Sequence, residues 1–217
     1  MVGSNTTSAD YLVSLGKVQR FPQKQVELCL VKNFLRPIEC EQLIQLVDRD
    51  RRPSTIADPN GDDYFRTSET CDLDHNDPFV AKIDDKICNF GDIDPIFGEP
   101  LQGQRYGVGQ EFKAHTDYFD PHGQDFQKFC SVSGQRTWTF MIYLNEPEAG
   151  GATRFTQFRK SFAPQTGTLL CWNNMKEDGS PNGLSLHHGM KVRSGTKYVI
   201  TKWFREKPWP WPDVAQG

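Results

Sequence analysis

The sequence predicts a mainly β fold, an antiparallel barrel or jelly roll with flanking helices toward its N-terminus. From about residue 100 the chain breaks into short runs rich in β-branched and aromatic residues, separated by Gly, Pro, Asn or Asp clusters. No helix-period segment lies between those runs, which argues against alternating strand–helix units and for antiparallel closure. At 217 residues the chain is long enough for one substantial core, and all-β barrels of this size are commonly one domain.

The elements follow in order. Residues 1–24 read as a polar leader. "QVELCLVKNFL" is rich in β-formers and reads as a first strand; Pro37 then suits a first helical position, and "IECEQLIQLVD" carries apolar residues at helical spacing. Residues 52–64, "RPSTIADPNGDDY", gather Pro, Gly, Asn and Asp into a loop long enough to act as a lid. A second helix starts near Asp77 and Pro78, sets Phe79, Ile83, Ile87 and Phe90 on one face, and ends around Gly91. Strands follow in "LQGQRYGV", "EFKAHTDYF", "RTWTFMIYLN", "GATRF", "GTLLCW", "LSLHHG" and "KYVITKWF". Residues 207–217, rich in Pro and Trp, cannot extend a central strand and read as a polyproline-like tail packed on the surface.

Composition narrows the function. Lys and Arg total 25 against 28 Asp and Glu, a net charge of −3, with no long basic run to hold a phosphate backbone, so nucleic acid is not expected as a partner. The N-terminus lacks an apolar signal core and no run of about eighteen apolar residues occurs, so neither secretion nor membrane insertion is expected. The six cysteines include no CxxC pair, which suits reduced, buried thiols in the cytoplasm.

One stretch carries chemistry. In "RYGVGQEFKAHTDYF", His115 and Asp117 are two residues apart; on a strand they share a face, and both project inward if the strand lines the barrel. An imidazole and a carboxylate are two of the three ligands of the two-His, one-carboxylate site of non-heme Fe(II) oxygenases. The second His is open at this point: His187 and His188 lie in a late strand, His75 and His122 in polar loops less able to hold a ligand rigidly. An HxD pair alone also arises by chance. Lys197, ten residues after His187, begins an apolar strand where an ammonium needs an anionic partner, and a dicarboxylate co-substrate would supply one.

The ordered set "RTSE", "RYGVGQEFKAHTDYF", "RTWTFMIYLNEPEAGGATRF", "P..GTLLCW", "SLHHG" and "GTKYVITKW" resembles the 2-oxoglutarate/Fe(II)-dependent prolyl 4-hydroxylases, over roughly residues 25–206. The resemblance implies a double-stranded β-helix (jelly roll, cupin-like) supported by a helical layer, with His115, Asp117 and His187 as iron ligands and Lys197 receiving the distal carboxylate of 2-oxoglutarate. The spacing to Lys197 favours His187 over its neighbour His188. Tyr106 and Thr153 match hydroxyls that help hold that carboxylate, and Trp203 looks like a pocket wall. Arg66, Ser68 and Arg136 match positions that face a peptide substrate; Arg205, also placed there, stands where some relatives have His, and Phe112 where substrate-contacting relatives often have Tyr. These two departures put the substrate's identity in question.

The implied reaction is hydroxylation of a peptidyl proline at C4, with dioxygen and 2-oxoglutarate consumed, succinate and carbon dioxide formed, and ascorbate as reductant. The resemblance equally fits a dioxygenase acting on free proline, another amino acid or lysyl side chains. A non-catalytic module that binds Pro-rich peptides is the reading from a different class.

Overall fold

In a computed structural model describing residues 3–22, 25–54, 66–123 and 126–211, the strand-rich half closes into two facing antiparallel sheets. In chain order the elements are α1 (Ala9–Ser14), β1 (Val18–Arg20), β2 (Leu28–Val31), α2 (Pro37–Arg49), β3 (Arg52–Pro53), β4 (Glu69–Asp72), α3 (Pro78–Gly91), β5 (Gln102–Tyr106), β6 (Phe112–His115), α4 (Phe126–Cys130), β7 (Arg136–Tyr143), β8 (Ala149–Gly150), β9 (Thr153–Phe155), β10 (Lys160–Phe162), β11 (Leu169–Asn173), β12 (His187–Gly189), β13 (Val192–Ser194) and β14 (Lys197–Arg205). The larger sheet runs β1-β2-β11-β7-β14-β5-β4-β3, the smaller β10-β9-β12-β6, and β8 pairs with β13. This is a double-stranded β-helix with helices on one outer face, as the resemblance implied.

Strand periodicity sorts the side chains between two cores. Along β7, Trp138, Phe140 and Ile142 face the helices, where they meet Leu43 and Val47 of α2 and Val80, Ile83 and Ile87 of α3. Met141 and Tyr143 point the other way, into an inter-sheet core with Phe155, Leu170, Trp172 and Val199. All nine residues of β14 are buried, because helices cover one face of this strand and the smaller sheet covers the other. Helix α2 lies so close to β5 that a Cβ on Gly103 would come within 2.2 Å of Val47 Cγ2.

Both main helices have sequence-encoded ends. Pro37 opens α2, and Glu39 reaches back to accept the Arg36 N–H at 2.8 Å. The Asp77 carboxylate caps α3 by accepting the Phe79 N–H at 2.8 Å, and Asp92 ends it in a left-handed conformation (φ 52°).

The structure adds detail where the sequence was quiet. The polar leader contains α1 and β1, with Ala9 and Leu12 fully buried; a six-residue helix burying two side chains is too short to show periodicity. Strands β8, β10 and β13, of two or three residues, fell below the length at which alternation can be read. Of the expected loop at 52–64, Arg52 and Pro53 instead pair with β4, while residues 55–65 lie outside the described residues. The tail packs on the surface as far as Trp211: the Trp209 N–H donates to Ile96 O at 2.7 Å, and the Trp211 ring lies 4.9 Å from that of His75.

Candidate active site

The two sheets bring one cluster of potential metal ligands together among the described residues: donor atoms of His115, Asp117 and His187, all within 4.8 Å of one another. His187 faces His115 directly in the β6–β12 register, which places the two rings 4.3 Å apart. Asp117 arrives differently from the sequence argument. Strand β6 ends at His115, so Asp117 lies in the bend just beyond it, and the bend rather than strand alternation turns its carboxylate inward. Its Oδ1 lies 3.9 Å from His115 Nε2 and its Oδ2 3.9 Å from His187 Nε2.

Each histidine is oriented by the carbonyl two residues before it. His115 Nδ1 lies 2.7 Å from Lys113 O and His187 Nδ1 2.9 Å from Ser185 O. A carbonyl only accepts, so each Nδ1 carries the proton and each Nε2 keeps its lone pair toward the cluster. Burial, followed by the neighbouring His187, holds the His115 imidazolium well below its usual range, so the ring is neutral. Burial pushes the Asp117 carboxyl up, but His187, His115 and Arg136 outweigh it and hold the group below the ordinary carboxylate range. Asp117 Oδ2 also accepts the Thr139 hydroxyl at 2.7 Å. Two imidazoles and one carboxylate, each held from behind, form a donor set that fits Fe(II).

His188 points to the opposite face, where its Nε2 lies 3.0 Å from Glu111 Oε2. His122 is exposed in a loop, and His75 lies against the tail.

Deeper between the sheets, Lys197 is 2% exposed, with its Nζ over the rings of Tyr106 (5.0 Å) and Tyr143 (5.5 Å). No carboxylate pairs with it among the described residues, and burial alone brings its pKa from 10.5 down to about 7. Thr153 is buried beside this position and accepts the Tyr143 hydroxyl at 2.7 Å. The Tyr106 hydroxyl donates to Gln104 Oε1 at 2.7 Å. Gly151, at φ 71°, brings its backbone close to the lysine stem, where a Cβ would lie 3.2 Å from Lys197 Cδ.

On one flank of the triad, Phe112 stacks on His115 with ring centroids 3.4 Å apart, and the Arg66 guanidinium lies 4.8 Å from the Phe112 ring. Arg66 also donates to Ser68 Oγ at 3.1 Å and to Gln102 Oε1 at 3.2 Å. On the other flank, the Arg136 guanidinium lies 3.9 Å over Trp203, which is itself buried. Arg205 is 2% exposed beneath the surface, held by Glu99 at 3.2 Å and by the Phe129 carbonyl.

Sequence reasoning missed Glu99, which grips Arg136 through two bonds of 2.6 and 2.8 Å and also receives Arg205. It also missed Thr139, Tyr143 and Gln104. For two of them the sequence marks the residue though not its partner: Thr137 and Thr139 stand at alternate positions of a largely apolar strand, and a carboxylate at Glu99 lies just ahead of β5.

Residues 101–205 match the family model described as the 2OG-Fe(II) oxygenase superfamily. Prolyl 4-hydroxylase 2 of Arabidopsis thaliana is 29% identical over 91% of this chain and 73% of its own length. The human prolyl 4-hydroxylase subunit alpha-1 is 30% identical over 81% of this chain but 34% of its own, so the chain spans about a third of that relative. A 2-oxoglutarate complex of the viral collagen prolyl hydroxylase from Paramecium bursaria Chlorella virus-1 superposes with a TM-score of 0.65 at 28% identity, covering 84% of this chain and 96% of that one. The chain belongs to the 2-oxoglutarate/Fe(II)-dependent prolyl 4-hydroxylase family. As a member of that family it is a 2-oxoglutarate-dependent dioxygenase, and the His-Asp-His cluster suits the iron that such enzymes use.

Proposed function

We propose that the protein hydroxylates a peptidyl proline at C4, with His115, Asp117 and His187 as Fe(II) ligands and Lys197 as the residue that receives the distal carboxylate of 2-oxoglutarate. The observation that carries this reading is the pairing of the three-ligand cluster with a buried lysine that has no carboxylate partner among the described residues. When bound, the iron supplies oxygen activation coupled to oxidative decarboxylation of the co-substrate, yielding succinate and carbon dioxide.

The chain's own residues position and exclude. Lys113 O and Ser185 O fix the imidazole planes. Lys197, between two tyrosine rings, offers a desolvated cation to a carboxylate, while Tyr106 and Thr153 add neutral hydroxyls beside it. Phe112, Trp203 and the inter-sheet core keep water away from the reacting centre. Arg66 and Arg136 flank the triad and present donors to a peptide backbone; Ser68, 2% exposed, contributes by holding Arg66, and Arg205 by sharing Glu99 with Arg136. A prolyl peptide held extended suits such a groove, because its polyproline conformation loses little entropy on docking.

The curated relatives named prolyl 4-hydroxylase support a proline-containing substrate. The proposal extends to ascorbate as reductant and to a reducing, cytoplasmic setting, the latter supported by six buried free thiols.

The test is conversion of 2-oxoglutarate to succinate under air with Fe(II) and ascorbate, with and without a (Pro-Pro-Gly)-type peptide. Peptide-stimulated turnover, lost in His115→Ala and accompanied by one oxygen atom added to proline, is expected. Turnover stimulated only by free amino acids would move the substrate from peptides to the free-amino-acid reading. Metal binding without any turnover would leave a binding module.

A further inference from the structure

We propose that Thr139 and Asn174 form a two-link relay that positions Asp117, so that metal affinity depends on two residues that do not themselves face the ion. The inference rests on reading His115, Asp117 and His187 as the metal ligands, and it concerns the support behind them.

Thr139 lies on β7, 1% exposed, and donates its hydroxyl to Asp117 Oδ2 at 2.7 Å. Asn174, fully buried just beyond β11, donates its Nδ2 to Thr139 Oγ1 at 2.9 Å. Chemistry forces this polarity. An ionised carboxylate only accepts, and a hydroxyl has one proton; once Thr139 gives it to Asp117, the hydroxyl oxygen can only accept, so the amide nitrogen of Asn174 must face it. The amide's other half, Oδ1, has no hydrogen-bond partner in the interior. A buried carbonyl left unsatisfied breaks a general packing rule, and such breaks concentrate at functional sites.

The backbone of Asn174 also ties the relay to a second ligand. Its N–H donates to Thr137 O at 2.7 Å and its carbonyl accepts from Asn182 N at 2.8 Å. Asn182 O in turn accepts both the N–H (2.9 Å) and the hydroxyl (2.8 Å) of Ser185, whose own carbonyl orients His187. Asn174 is thus a common anchor for Asp117, through its side chain, and for His187, through its main chain. The 3.9 Å separation of Asp117 Oδ2 from His187 Nε2 is set from this point.

The test measures Mn(II) binding to the full chain by titration of the free-ion EPR signal, with the thermal stability of each metal-free variant recorded alongside. Thr139→Val keeps the shape and removes the hydroxyl; it is expected to weaken Mn(II) binding by about 10- to 100-fold, the range for loss of a ligand's supporting hydrogen bond. Thr139→Ser restores the hydroxyl and is expected to bind within about threefold of wild type, and Asn174→Leu to weaken binding in the same direction as Thr139→Val. Wild-type-like affinity in Thr139→Val, or equal losses in the Val and Ser variants, overturns the relay. Should Thr139→Val not fold, unchanged affinity in Asn174→Leu overturns it instead. A wild type that fails to bind Mn(II) sinks the ligand reading itself, which separates that failure from failure of the relay alone.

Discussion

His115 and His187 face each other across the β6–β12 ladder, and each bonds through Nδ1 to the carbonyl two residues upstream in its own chain. The two strands therefore deliver the same local geometry from opposite directions, and side-chain alternation decides which of two adjacent histidines takes part.

His187→Ala should accordingly abolish both metal binding and turnover, whereas His188→Ala should keep turnover within about threefold of wild type. The His188–Glu111 contact is partly exposed, and such pairs contribute about 0–1 kcal/mol. Succinate assays on both variants check this; equal losses would mean that the strand register is shifted by one residue.

Lys197 links stability to pH. Its folded pKa, brought down to about 7, lies below the unfolded 10.5, so the unfolded chain binds more protons between those values. The lysine's contribution is therefore least favourable below about pH 7, and stability should rise with pH from about 7 toward 10.5. Binding a dicarboxylate favours the ammonium, so 2-oxoglutarate binding at pH 8 to 9 should take up a proton. Calorimetry in buffers of different ionisation enthalpy reads this uptake directly.

Lys197→Met removes the cost of burying that ammonium. We expect a gain of about 2 kcal/mol, roughly 4–8 °C in Tm for a chain of this size, together with loss of 2-oxoglutarate turnover. A variant that melts at or below wild type would show that the lysine is already well compensated.

Lys202, on the helix-facing side of β14, is fully buried against Asp84 of α3, with its Nζ 2.8 Å from Oδ1. Removing one partner leaves the other charge uncompensated, so Lys202→Ala should cost about 3–5 kcal/mol, while the double change Lys202→Met with Asp84→Leu should be close to neutral. Chemical denaturation of the single and the double variant separates these cases.

Glu99→Gln loosens the clamp that holds Arg136 over Trp203. If Arg136 contacts the peptide, the variant should raise the peptide KM by about tenfold, equivalent to about 1.4 kcal/mol, and leave peptide-independent 2-oxoglutarate turnover unchanged. An unchanged peptide KM would place the substrate elsewhere.

The residues that could be read in advance were those with a strong local rule. Pro37 and Asp77 announced their helices, and the spacing of His115 and Asp117, together with Lys197 at the head of an apolar strand, announced the site. Asp117 shows the limit: the expectation that it faces inward held, but the reason differed, since a bend and not the strand turns it. Glu99, Thr139 and Asn174 act on partners 37, 22 and 35 residues away, and no local pattern encodes such pairings. The short edge strand β1 escaped notice because three residues are too few for alternation to register.

The order of the larger sheet carries a last consequence, for self-association. Its two outermost strands are β1, with three residues, and β3, with two. Of these five residues, Arg20 and Arg52 are charged, and Pro53 lacks the N–H that an added strand would need. The long inner strands β7 and β14, whose runs of apolar residues would template cross-β stacking if laid bare, are each paired on both sides. Among the described residues, the rims of this sheet thus offer a second copy few unpaired peptide groups, a built-in guard against edge-to-edge aggregation.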